Sequence, residues 1–207
     1  MRPKLQFLDR DLLERIISEA LDLLATLGMK IENDDAKALL SDHGAGVDND
    51  TGRITFSSSL VMQAIESVPS GFALYDAMGN QTHDLSGDKV HFTPGSSWIT
   101  VLDHDTGEMR TPVTSDFVRF TKLTSRMEYI EAQSTAFITN DVPEAVQDSY
   151  RLFLCLLYGE KPVVTGAFTK ESYALMRDLQ LAVRGTAQEL AAKPLTIFSC
   201  CPTAPLK

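Results

Sequence analysis

The sequence predicts an α/β protein: an α+β N-terminal region over residues 1–112, then the start of a (β/α)8 TIM barrel over residues 113–207. Two observations carry the barrel. The run Lys161-Pro162-Val-Val-Thr-Gly-Ala-Phe168 is echoed thirty-two positions later by Lys193-Pro194-Leu-Thr-Ile-Phe-Ser-Cys200, and the same step backward reaches Tyr129-Ile-Glu-Ala-Gln-Ser-Thr-Ala136, a third strand-like run. Helical patterns fill the intervals, and a barrel of about 250 residues divided by eight has this period. An open doubly wound sheet would repeat similarly. Its first turn usually carries a glycine fingerprint, however, and neither G-x-G-x-x-G nor a P-loop occurs here.

The elements follow in order. Asp9 caps a helix whose apolar positions, Leu12, Leu13, Ile16, Ile17, Ala20, Leu21, Leu24 and Leu27, have helical spacing, with Gly28 as its stop. A short helix over Asp34 to Asp42 ends at His43-Gly44. After the turn Asp48-Asn-Asp-Thr-Gly52, residues 52–56 alternate like a strand. Serines 57 to 59 cap a helix through Leu60, Ile65 and Val68, stopped by Pro69-Ser70-Gly71. Between Phe72 and Thr111, three short apolar runs (residues 72–75, 89–92 and 98–102) separated by tight turns read as a small antiparallel sheet. A helix from Thr114 through Phe117, Phe120 and Leu123 leads into the first barrel strand. A second begins near Pro143 and a third after Thr169. Proline at a strand's first residue is tolerated, because it gives up no central ladder bond. With barrel units starting near residue 129, the 207 residues hold about three of eight.

Composition excludes several classes. With 43% hydrophobic and 23% charged residues, the chain reads as soluble and globular rather than disordered. Twenty-eight acidic against nineteen basic residues give a net charge of −9, which argues against a nucleic-acid partner and favours cationic ligands. Cys155, Cys200 and Cys201 form no C-x-x-C pair, and His43, His83, His91 and His104 are scattered, so no metal site is expected. An odd cysteine count without a disulfide framework points to a reducing cytoplasm. No signal peptide is read in MRPKLQFLDRDLLERI, and the longest strongly apolar run, Leu152 to Tyr158, is too short for a membrane span.

In a barrel the chemistry sits at the C-terminal ends of the strands, which nominates Gln133, Ser134 and Thr135, then Thr165 and Gly166, then Ser199 and Cys200. Asn140-Asp141-Val-Pro143 reads as a helix start with Asp141 near the N-cap. The stretch His91-Phe-Thr-Pro-Gly-Ser-Ser-Trp98 is either a loop closing over a site or a plain hairpin with Trp98 in a core. Aromatic faces bind quaternary ammonium groups, so Phe92, Trp98, Phe137 and Phe168 are candidates, though each also suits a core. Asp103 to Glu108 is not a calcium loop: its glycine comes one place early, and Thr114 stands where the bidentate Glu belongs. Cys200-Cys201 reads as a buried strand-end pair. No Ser-His-Asp order can be argued from four scattered histidines. The substrate-binding set is therefore Phe92, Gly95, Trp98, Gln133, Ser134, Thr165 and Ser199, and no catalytic residue is assigned.

The linear order of motifs resembles the N-terminal region of the trimethylamine methyltransferase family. The likeness rests on Gly44-Ala-Gly-Val-Asp48, Gly52-Arg-Ile-Thr-Phe56, Ser67-Val-Pro69 and Phe72-Ala-Leu-Tyr-Asp76. It continues through Gly87-Asp-Lys-Val-His-Phe-Thr-Pro-Gly95, Val101-Leu-Asp-His-Asp-Thr-Gly-Glu-Met-Arg110, Asn140-Asp-Val-Pro143 and Lys161-Pro162. The resemblance implies a barrel enzyme that moves a methyl group from a methylated amine to the cobalt of a corrinoid. The corrinoid is carried by a separate small protein, and none is bound directly by this chain. Some members use pyrrolysine and act on trimethylamine; similar members without it act on quaternary amines such as glycine betaine, and the distinguishing position lies in the family's later half. The competing expectation is a non-catalytic fragment or assembly module that binds partner chains. A hydrolase or lyase barrel is weakened by the lack of a nucleophile or metal constellation. Exposed barrel edges favour association of copies.

Overall fold

Side-chain caps set where the first helices begin. In the computed structural model, which describes residues 5–199, Asp9 accepts the Leu12 N–H at 2.7 Å and opens α1 (Arg10–Thr26). Asn33 does the same for α2 (Asp34–Asp42) through Ala36, and Ser57 for α3 (Ser58–Ser67) through Leu60. The Asp9 and Ser57 caps match the sequence expectation, which named no cap for α2. The expected cysteine pair at 200–201 lies outside the described residues, as does the strand residue Cys200. The chain divides into two compact units at Pro69/Ser70.

The first unit holds a three-stranded antiparallel sheet in the order β1 (Met29–Lys30), β3 (Arg53–Thr55), β2 (Gly46–Asp48). Gly28 turns the chain from α1 into β1 at φ +63°, and a Cβ there would sit 2.2 Å from the Ile54 carbonyl oxygen, so only glycine fits. Arg53 donates to the Leu27 carbonyl at 2.9 Å, satisfying the end of α1. Ile31, Ala45 and Ile54 form the core, with Leu40, Phe56 and Leu60 packed against them. The apolar stripe of α1 is only partly used: Leu12, Leu21 and Leu24 are half-buried, whereas Leu13, Ile16 and Ile17 stay exposed.

The second unit begins with two separate ribbons rather than one small antiparallel sheet. β4 (Ala73–Tyr75) pairs with β5 (Gln81–Asp84), and β6 (Val101–Leu102) with β7 (Met109–Arg110). Residues 89–92, expected as a strand, are irregular. The Phe92 carbonyl instead accepts the Glu131 and Ala132 N–H groups. β5 takes the strand role despite its polar sequence Gln-Thr-His-Asp, because backbone pairing with β4 requires no apolar alternation.

Three parallel strands follow: β8 (Gln133–Ser134), β9 (Val163–Thr165) and β10 (Thr196–Phe198), in spatial order β8-β9-β10. Between them run α4 (Thr114–Ser125, ahead of β8), α5 (Gln147–Tyr158, entered through a 3-10 turn at Glu144–Val146), α6 (Lys170–Arg184) and α7 (Ala187–Ala192). α7, capped by Thr186, was not expected from the sequence. The helices pack on the strands through Phe117, Ala136, Leu152, Cys155, Val163 and Met176. Asp141 does not cap its own helix: its carboxylate accepts the Thr114 N–H at 2.9 Å and caps α4.

Residues 70–112, grouped by the sequence reading with the N-terminal region, belong to this second unit. The Tyr75 N–H donates to the Pro194 carbonyl at 2.9 Å and the Ala77 N–H to that of Glu160 at 2.7 Å. Arg184 donates to the carbonyls of Tyr75, Asp76 and Ala77, fastening the first ribbon where β9 and β10 begin.

Asp116 starts α4 by accepting the Val113 N–H and pairing with the Arg110 guanidinium through both oxygens. Hydrogen bonding from Arg110, opposed by burial, holds this carboxyl below the usual carboxylate range. A depressed folded-state value means its stabilisation is complete above the ordinary carboxylate pKa near 4 and is lost as pH falls through the folded value. Asp116→Asn should therefore cost about 1–3 kcal/mol at pH 7 and flatten the loss of stability on acidification, as read by denaturant midpoints between neutral and acidic pH.

Candidate functional site

Alternation along the three strands divides the nominated residues between two faces. Gln133 faces α4: its Oε1 accepts from Thr124 Oγ1 at 2.7 Å, and its Nε2 donates to the Thr121 carbonyl and to Ser125 Oγ. Thr196 donates to Gln180 on α6, and Phe198 meets Tyr173 of α6 edge-on. Thr165 shares this helix-facing register and pairs its hydroxyl with that of Thr135 at 3.2 Å. Gln133 and Thr165 are thus committed to packing the sheet on its helices.

Ser134, Val164 and Ile197 occupy the opposite face, and Ser199 continues it. Ser134 Oγ donates to the Gly95 carbonyl at 2.7 Å. Residues 92–98 run along the outer side of β8. Beyond the Phe92 bonds, the Ser97 and Trp98 N–H groups donate to the carbonyls of Thr135 and Ala136. This segment is neither a hairpin nor a free lid. Gly95 lies against the Trp98 indole, where a Cβ would approach Nε1 at 2.9 Å. Trp98 stands edge-to-face with Phe120 and Phe137 at 5.8 and 5.4 Å between centroids, and is 41% exposed. Phe92 is exposed, and the structure engages its carbonyl rather than its ring.

Two residues that the sequence reading passed over organise the C-terminal ends of the strands. Arg151 on α5 is 1% exposed. Its guanidinium donates to Asp148 at 2.8 Å, to the Thr135 carbonyl at 3.1 Å and to Ser97 Oγ at 3.2 Å. It also lies over the Phe168 ring, 5.0 Å from the centroid. Asp148 in turn accepts the Phe168 N–H at 2.7 Å. The one available signal was a charged i, i+3 pair at the start of an otherwise apolar helix.

Beside this network an open cleft of about 480 Å³ is lined by Ile138, Asn140, Val142, Glu144, Gln147 and Phe168. It lies just past β8 and β9, where the sequence reading expected chemistry. The Phe168 ring, 62% exposed, and the Glu144 carboxylate give it an aromatic and an anionic wall. A larger depression of about 860 Å³ lies at the other end of the strands, where Lys122, Arg126 and Lys161 stand with Asp76 and Glu160. Burial pushes the Cys155 thiol up to about 12, so it is no nucleophile. Among the described residues no helix is long and apolar enough to cross a membrane.

Comparison with known proteins gives a consistent result. A family model described as trimethylamine methyltransferase matches residues 1–207. A trimethylamine methyltransferase of Desulfitobacterium hafniense is 26% identical over 192 residues, covering 93% of this chain and 39% of that protein. An L-carnitine:corrinoid methyltransferase of Eubacterium limosum is 32% identical over 161 residues, 76% of this chain and 32% of that protein. A glycine betaine methyltransferase of Desulfitobacterium hafniense is 21% identical over 206 residues, 99% of this chain and 42% of that protein. The chain thus spans about two fifths or less of the length of these relatives.

Arg151→Met should cost about 3–5 kcal/mol, because it strands the Asp148 carboxylate without its counter-ion. Chemical denaturation at neutral pH checks this. Gly95→Ala should cost about 1–3 kcal/mol by overpacking. Trp98 is the single tryptophan, so its emission should shift to the red as the indole leaves the aromatic cluster.

Proposed function

Because the chain belongs to the trimethylamine methyltransferase family, we propose that it supplies the N-terminal part of an enzyme that transfers a methyl group from a methylated amine to a corrinoid held by a separate protein. The observation that carries the proposal is the match of one family model to every residue, 1–207. The substrate class is trimethylamine or a quaternary amine such as glycine betaine or carnitine. In this reading the β8-α5, β9-α6 and β10 units open a (β/α)8 barrel, and the cleft beyond β8 and β9 is part of its mouth.

The chemistry assigns modest tasks to this chain. The corrinoid cobalt, as methyl acceptor, supplies the nucleophile. A quaternary nitrogen already carries the charge that lets its amine leave, so the protein's work is to hold one methyl in line and keep water out. Phe168 offers an aromatic face to the cation and Glu144 a compensating charge. One side of the Phe168 ring is taken by Arg151, which fixes its orientation. Ser134 is buried and supports the Gly95 carbonyl, while Trp98 stays partly exposed beside it. At about 480 Å³ the cleft falls in the range of small-ligand sites and suits a small methylated amine.

Incubation of a full-length enzyme that contains this chain with cob(I)alamin and trimethylamine, glycine betaine or carnitine in turn tests the proposal through the visible spectrum of methylcobalamin; the 207 residues alone are expected to be inactive. One of the amines should give product. Phe168→Ala and Glu144→Gln should each raise the KM for that amine about tenfold. A folded full-length enzyme giving no spectral change with any methylated amine would leave the non-catalytic, partner-binding module as the reading.

A further inference from the structure

Three side chains that methyl transfer does not use converge at the entry to β8. His83 lies on β5, His91 in the segment that follows, and Glu131 two residues ahead of Gln133. Their donor atoms all lie within 4.8 Å of one another.

The hydrogen bonds around them define where the lone pairs point. His91 Nε2 is 3.1 Å from the Asp84 carbonyl oxygen, which can only accept, so Nε2 carries the hydrogen. In the neutral ring Nδ1 then holds a lone pair, yet it stands 2.5 Å from Glu131 Oε2. Two electron-rich atoms at that separation are held by a shared proton, which a divalent ion displaces when it takes up both lone pairs. His83 Nδ1 is 2.9 Å from Thr82 Oγ1. With that nitrogen donating, Nε2 keeps its lone pair. His83 is 2% exposed, and its Nε2 is buried with no hydrogen-bond partner. A buried polar atom in that state costs stability unless a ligand meets it.

We infer that His83, His91 and Glu131 form a binding site for a divalent transition-metal ion, with zinc as the best match to two imidazoles and one carboxylate. The Asp84 carbonyl and the Thr82 hydroxyl are the outer groups that set the tautomers, as second partners of metal-bound histidines commonly do. The half-exposed Glu131 leaves room for water to complete a tetrahedron. The backbone is already in place, since Glu131 and Ala132 donate to the Phe92 carbonyl. Because the site lies at the strand entries, opposite the cleft, its role is to clamp β5 and residues 85–92 to β8 rather than to activate a substrate. Ligands at positions 83, 91 and 131 follow no zinc-finger spacing, which is why the sequence shows no metal site.

The test uses the 207-residue chain, chelator-treated and free of any histidine tag. Calorimetric titration with zinc should show saturable uptake of one ion per chain, with a raised melting temperature. Cobalt(II) should develop the visible d–d bands of a tetrahedral site. His91→Gln and Glu131→Gln change partly exposed side chains. With unchanged circular dichroism, each should weaken zinc binding by more than about tenfold. His104→Gln, on a distant exposed turn, should bind as wild type. No saturable uptake by the wild-type chain would overturn the inference. So would zinc affinity that survives both His91→Gln and Glu131→Gln, or that is lost in His104→Gln.

Discussion

A charge taken out of water is the constraint around which the second unit is arranged. Arg151 has almost no solvent contact, and a bare guanidinium in that position would be prohibitively costly. It is tolerable because every neighbour that could answer it does so: the Asp148 carboxylate, the Thr135 carbonyl, the Ser97 hydroxyl and the Phe168 ring face. These four belong to α5, the end of β8, the flanking segment and the β9-α6 loop. Satisfying one charge therefore fixes four pieces of chain at the mouth of the sheet. Such pairs add little net stability over apolar packing, but they admit one geometry. Ser97 has a φ of +58°, an unusual backbone for serine, and its hydroxyl and N–H are both held in this arrangement.

At the opposite end of the sheet, beside the His91–Glu131 pair, cationic side chains reach carbonyls. Lys161 Nζ donates to the carbonyls of Thr124 and Met127, and Arg184 to those of the first ribbon. Burial lowers the pKa of both side chains, opposed only partly by nearby carboxylates. The two ends thus differ in kind. One is locked by a fully buried ion pair beside an aromatic and acidic cleft; the other is stitched largely by main-chain acceptors.

How much of this was readable in advance depended on the range of the interaction. Caps are local, so Asp9, Ser57 and Thr169 mark helix starts that three or four residues determine. The repeat of thirty-two residues located all three parallel strands, because parallel pairing with helical crossovers imposes a spacing on the chain. What escaped was non-local. β5 is polar and owes its strand state to β4. Asp141 caps α4 rather than the helix beside it. The face presented by Gln133 and Thr165 follows from pairing phase, which single strands of two or three residues do not reveal. Arg151 gave one faint local sign, and its partners are spread from Ser97 to Phe168.

The segment from Phe92 to Trp98 gives the parallel sheet a polarity. At residues 131, 132, 135 and 136 the outer side of the first strand is already engaged by that segment's backbone. Among the described residues β10 pairs only with β9. Among the described residues the β8 margin is thus covered at those four positions while the β10 margin carries no further strand, so a next strand adds at β10, on the side away from the tryptophan.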